Sequence, residues 1–118
     1  MAEVNTKMNY DLEEDILHLS KERKIKASID LGDFIIDVDT KGFISGIEIL
    51  NASQNLGLTE NQLKTLKQAS MNVSYKPNHV DITLIMQFGN KEKDIHIPLT
   101  VDLGPGSVRT EQTVFAVA

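Results

Sequence analysis

From Ile25 to Leu31 apolar and polar residues alternate: Ile25, Ala27, Ile29 and Leu31 against Lys26, Ser28 and Asp30. A period of two predicts a strand with one face in a core and the other in water. Ahead of it, residues 15–19 are short and apolar, with 21–24 as a turn. Behind it, Gly32-Asp33 links to 34–38, and Lys41-Gly42 turns the chain into 43–50. These segments read as sequential antiparallel strands joined by hairpins.

The pattern changes after Asn51. Thr59 has the character of a helix N-cap, with Gln62 three residues later as its capping-box partner and Leu58 placed to staple onto Leu63. Leu63, Leu66 and Ala69 follow at helical spacing, which predicts one principal helix over residues 60–69. Residues 53–56 read as a separate short turn ended by Gly57. Alternation then returns. Met71, Val73 and Tyr75 share a face, and Lys76-Pro77-Asn78 is a turn. Val80, Ile82, Leu84, Met86 and Phe88 form a second apolar row, with Ile85 breaking the polar face, and Gly89-Asn90-Lys91-Glu92 closes a hairpin. Ile95, Ile97, Leu99, Val101 and Leu103 form a third row. Pro98 within it has no N–H to give a ladder, so this strand belongs at an edge or carries a bulge. Gly104-Pro105-Gly106-Ser107 breaks the pattern, and the residues after it either fray or add a strand. The expected fold class is α+β, predominantly antiparallel β meander and hairpins with one principal helix near 60–69.

A chain of 118 residues is expected to form a single domain. Its parts are a strand meander over 10–53, a helix with β-hairpins over 54–106, and a C-terminal tail over 107–118. The absence of cysteine excludes a disulfide framework, a thiolate zinc site and a cysteine nucleophile. The formal net charge is -5. All the excess acid lies in residues 1–59, which hold 11 acids against 6 bases. Lys21, Arg23, Lys24 and Lys26 form a basic cluster interrupted by Glu22, and it reads as a solvated hairpin turn. A nucleic-acid partner is therefore not expected. No apolar run approaches the roughly 20 residues of a membrane span, so no membrane partner is expected. The opening residues MAEVNTKMNY lack the apolar core of a secretion signal, and a cytoplasmic protein is expected.

Three stretches carry a resemblance. Tyr10-Asp11-Leu12-Glu13-Glu14-Asp15 is a Tyr-Asp pair with an acidic turn, and an apolar strand follows it. Further on come the strand and turn Ile35-Ile36-Asp37-Val38-Asp39-Thr40-Lys41-Gly42 and the ending Gly46-Ile47-Glu48-Ile49-Leu50-Asn51-Ala52-Ser53. Residues 10–53 resemble the YuzE-like family of small prokaryotic proteins of unknown function. The resemblance brings no catalytic residues. It implies, for some members, the smaller, antitoxin-like place in a two-gene pair.

Residues 37–48 spell D-V-D-T-K-G-F-I-S-G-I-E, which fits much of a calcium-loop template. Asp37, Asp39 and Glu48 are the candidate metal ligands. Lys41 opposes this reading by putting a cation where a ligand belongs, and the flanks alternate as strands where the motif needs helices. The alternative is a hairpin turn in which Gly42 supplies a positive φ. Asp11, Glu13, Glu14 and Asp15 read as a solvated acidic turn. His18, His79 and His96 fall at no local zinc spacing, and no serine sits in a G-x-S-x-G elbow. Aromatic residues make up only 5%, too few for a base-stacking platform. The expected function is that of a non-catalytic protein-interaction module, with no cofactor, acting as a homo-oligomer, most simply a dimer, or with a protein partner. The alternative is a metal-binding protein or enzyme with a site around Asp37, Asp39 and Glu48.

Overall fold

The computed structural model describes residues 6–77, 79–88, 91–99 and 109–116. The elements run β1 (Lys7–Asp11), β2 (Ile16–Ser20), β3 (Ile25–Leu31), β4 (Phe34–Asp39), β5 (Ile44–Ile49), α1 (Ala52–Leu56), α2 (Glu60–Lys64), β6 (Gln68–Lys76), β7 (His79–Phe88), β8 (Lys91–Leu99) and β9 (Arg109–Ala116). They build a five-stranded sheet in the order β1-β2-β5-β4-β3 and a four-stranded sheet in the order β8-β7-β6-β9. All strand pairs are antiparallel.

One hydrophobic core joins the two sheets. The first contributes Leu17, Leu19, Ile36, Ile47 and Ile49, and the second Met71, Val73, Ile82, Leu84 and Phe115. Alternation explains the second sheet directly. Along β6 and β7 buried and half-buried residues alternate, and the register sets Met71 opposite Leu84 and Val73 opposite Ile82. Ile85 lies on the opposite, half-buried face, as the sequence pattern indicates. β8 is an edge strand, as Pro98 required. Of the tail, Arg109–Ala116 adds a strand beside β6. The Gly104-Pro105-Gly106-Ser107 break, Val101 and Leu103 lie outside the described residues, as do Asn78, Gly89 and Asn90.

The principal helix expected over 60–69 is corrected. Two helices of five residues each take its place, Ala52–Leu56 and Glu60–Lys64. The capping box at Thr59 and Gln62 forms as read, with both reciprocal hydrogen bonds present. The helix ends at Lys64, with Thr65 as its C-cap, and the Thr65 hydroxyl donates to the carbonyls of Asn61 and Gln62. Ala69, counted with the helix, is buried as a residue of β6, two residues before Met71 and on the same face. The first of the two helices is the short turn expected before Gly57, which closes it at φ 65.

The expected strand sequence in the first half is also corrected. β2 and β3 are not a hairpin, because β5 inserts next to β2. Leu17 and Leu19 face Ile49 and Ile47, and these four fully buried residues make a better pairing than the exposed stripe of β3 offers. The four residues 21–24 then span three strand spacings, roughly 14 Å, to reach the far edge. β1 adds a strand that the reading did not include, with Met8 opposite Leu19 and Tyr10 opposite Leu17.

Candidate functional site

The residues of the Tyr-Asp and Ala-Ser stretches meet in space. At one end of the first sheet, the β1–β2 turn, the β3–β4 turn and the end of β5 lie side by side around the start of α1. Asp15 sits in the β1–β2 turn with a left-handed backbone, φ 55. One of its carboxylate oxygens accepts the Tyr10 hydroxyl at 2.6 Å and the other accepts the Ser53 hydroxyl at 2.6 Å. The Ser53 amide donates to the same carboxylate at 3.1 Å, and the Ala52 amide donates to the Asp15 carbonyl at 2.9 Å. From the other side Asp33 clasps the same segment. It accepts from Asn55 Nδ2 at 2.9 Å, and its carbonyl accepts the Leu50 amide at 2.8 Å.

The electrostatics follow from this arrangement. Burial opposes ionisation of Asp15, but the hydrogen bonds from Ser53 and Tyr10 outweigh it and hold the carboxyl below its ordinary value. Burial, the bond to Asp15 and the charge of Asp15 all push the Tyr10 phenol well above its ordinary value. A deprotonated acid held by three donors is a poor proton shuttle, and no histidine stands behind Ser53 to activate it. The cluster is a latch between elements. The solvated-turn reading holds for Glu13 and Glu14, which are exposed, and is corrected for Asp15.

The calcium-loop candidates each have a separate place in the fold. Asp39 is 2% exposed, and its Oδ1 accepts the amides of Lys41 and Phe43 at 2.9 and 3.0 Å. It organises the turn at Gly42, whose φ is 86 as the hairpin reading requires. Asp37 accepts the Ser28 hydroxyl at 2.8 Å, and Glu48 stands in register with His18 and Ile35. His79 bonds Asp81 at 2.7 Å and His96 approaches Thr83 at 3.2 Å, both on the second sheet. Among the described residues no three acids or histidines gather as a metal group.

Lys21 is the other departure from a solvated turn. It is 3% exposed, and its ammonium reaches Glu111 of β9 at 2.7 Å. Tyr75 donates its hydroxyl to the same Glu111 oxygen at 3.2 Å and accepts the Ile44 amide at 2.8 Å. This network fastens the two sheets together. Its signal in the sequence was only a lysine next to the apolar run 16–19. Arg23, Lys24, Thr40 and Lys41 line a shallow cavity of about 320 Å³ above Asp39. Met8, Tyr10, Leu12, Leu17, Leu63 and Leu66, with Asn9 and Lys64, line one of about 300 Å³ beside α2.

One surface has apolar residues that no other described residue covers. β3 ends the five-stranded sheet, and its inner stripe shares the face of the core, with Ile29 opposite Ile36 and Ala27 opposite Val38. Along this stripe Leu31 is 40% exposed and Ala27 is exposed as well, while Ile25, 42% exposed, lies beyond a bulge in the β3–β4 ladder and opposite Asp39.

Residues 7–53 match the family described as Protein of unknown function (DUF2283). That span runs from the start of β1 to the Ser53 of the latch, the whole of the five-stranded sheet. A Methanosarcina mazei protein named as a putative hypoxanthine phosphoribosyltransferase is 30% identical over 89 residues, 75% of this chain and 72% of that protein. An uncharacterized protein of Methanocaldococcus jannaschii is 48% identical over 52 residues, 43% of this chain and 45% of that protein. No solved structure matches the chain.

Proposed function

We propose that this chain, which belongs to the family of that Methanosarcina mazei protein and carries the DUF2283 segment, is a non-catalytic protein-interaction module. The observation that carries this reading is the edge strand β3, whose outer backbone edge has no strand partner among the described residues and whose Ala27 and Leu31 are exposed. Open edges of this kind bind by strand addition. The polar groups that could have carried chemistry hold the fold together instead: Asp15 and Asp33 clasp α1, and Asp39 ties its own turn.

The reading places the protein in the cytoplasm with a protein partner. Among the described residues no helix is long and apolar enough to cross a membrane. A net charge of -5 disfavours nucleic acid. The likeness of residues 10–53 to YuzE-like proteins extends the reading to an antitoxin-like member of a two-gene pair.

The relative's name raises a different activity, transfer of a phosphoribosyl group to hypoxanthine. A pyrophosphate-bearing donor bound at a helix N-terminus asks for free backbone amides there. The Ser53 amide at the start of α1 is occupied by Asp15, and the Gln62 amide of α2 by Thr59. The metal-site alternative needs the Asp39 carboxylate, whose Oδ1 accepts two amides and whose Oδ2 lies 3.5 Å from the Arg23 guanidinium.

The test is a thermal midpoint measured with calcium, magnesium, zinc and hypoxanthine in turn, beside an assay for phosphoribosyl transfer to hypoxanthine. The expected result is an unchanged midpoint and no turnover. A ligand at about 100 times its Kd stabilises by about 2.7 kcal/mol, a rise of roughly 10 °C in a domain of this size. Such a rise, or turnover, overturns the reading.

A further inference from the structure

We infer that the hollow between residues 21–24 and the β4–β5 turn is a phosphate-binding site, one that takes the free anion or a small phosphate monoester. This goes beyond the interaction-module reading and does not rest on it.

The basic residues that follow β2 separate in the fold. Lys21 enters the seam between the sheets and meets Glu111. Arg23 and Lys24 stay exposed, and Lys41 of the β4–β5 turn joins them. With Thr40 they line the hollow of about 320 Å³ above Asp39. Three of the six bases in the acid-rich stretch 1–59 therefore gather at one place. Glu22, the acid between Lys21 and Arg23 in the sequence, is not one of the lining residues. Among the described residues neither Lys24 nor Lys41 has an acid within ion-pair distance. Like charges brought together without a counter-charge repel one another, and an anion between them removes that cost.

The fold positions these groups before a ligand arrives. The Asp39 carboxylate, 2% exposed, accepts the Lys41 amide at 2.9 Å on Oδ1 and the Arg23 guanidinium at 3.5 Å on Oδ2. The Thr40 amide donates to the Lys24 carbonyl at 3.2 Å, which ties the two connections together. A guanidinium carries several donors, so one contact with Asp39 leaves others for an outside anion.

Phosphate is the anion that suits this set. Arginine presents a planar fork matched to phosphate oxygens, the lysines supply point charges, and the threonine hydroxyl donates. A dianion draws on three cations more strongly than a singly charged carboxylate does. The volume stands at the lower end of ordinary small-molecule sites, which leaves room for a small organic group beside the phosphate. A nucleic-acid backbone asks for a longer basic track than this, and here the chain's net charge is -5.

The experiment uses the full chain in a phosphate-free buffer at constant ionic strength, with binding followed by isothermal titration. The probes are inorganic phosphate and glycerol phosphate, and sodium chloride at matched ionic strength controls for screening. Saturable binding of at least one of the two probes is expected. Lys41→Gln and Arg23→Gln are each expected to weaken it about tenfold while keeping the circular dichroism of the folded chain. Lys7→Gln, in β1 at the opposite edge of the five-stranded sheet, is expected to leave it unchanged. Tighter binding of glycerol phosphate identifies the ligand as an organic phosphate, and equal binding identifies it as the free anion. Three results overturn the inference: titrations with both probes that match chloride, a Lys41→Gln chain that binds as the wild type does, or a loss as large in Lys7→Gln as in Lys41→Gln. None of them bears on the metal, hypoxanthine and turnover measurements by which the interaction-module reading stands or falls.

Discussion

Asp15 and Gly46 show how much single positions settle. The Asp15 carboxyl ionises below its ordinary value of 3.8, so its contribution is complete above that pH and is lost as the pH falls through the lowered value. Tyr10 holds its proton beyond its ordinary 10.0, so its contribution is complete below that and is lost as the pH rises. The thermal midpoint is expected to be flat from about pH 4 to about pH 10 as far as these two groups govern it. Asp15→Asn is expected to flatten the acid limb and Tyr10→Phe the alkaline one. Gly46 has a different demand on it: an added Cβ would sit 2.7 Å from the Leu19 carbonyl oxygen, a backbone atom of β2. Gly46→Ala is expected to cost about 1–3 kcal/mol in denaturant unfolding. Neither role was visible along the chain, because each depends on a partner, Ser53 or Leu19, that a one-dimensional pattern does not bring near.

Elements were legible where their determinants are local. The Thr59 capping box is two hydrogen bonds within four residues, and it formed as read. Thr59→Ala is expected to cost about 1 kcal/mol, and circular dichroism with urea unfolding checks it. The turn at Gly42 is equally local. Space is open around its Cα, so Gly42→Ala is expected to cost only the conformational term, about 1 kcal/mol, with no metal-dependent property lost. What the pattern could not fix was how far a helix runs. Leu63, Leu66 and Ala69 are buried in the helix, the connector and β6 respectively, and their spacing fits all three. Pairing order was equally out of reach. The alternation of β2, β3 and β5 states which face is apolar, and every one of those strands would satisfy β2 by that criterion alone.

For the whole molecule, the family match and the topology coincide: residues 7–53 make one complete sheet with its latch, and the second sheet closes over it. The closure depends on Lys21. A buried ammonium deprived of its carboxylate is costly, so Lys21→Met and Glu111→Gln are each expected to destabilise, the second by about 3 kcal/mol. The double variant is expected to recover part of that loss, which a double-mutant cycle on urea midpoints measures.

The Lys21–Glu111 pair also bears on the order in which the chain assembles. Its partners stand 90 residues apart. Until β9 docks, the lysine has no carboxylate to meet, and the connector that carries it is more stable in water than under the second sheet. The first sheet with α1 can therefore form early from near neighbours, while the seam between sheets waits for the distant strand. Stopped-flow kinetics should show this as an asymmetry: Glu111→Gln leaves the refolding rate nearly unchanged and accelerates unfolding, so the ion pair governs how long the folded molecule lasts more than how quickly it is reached.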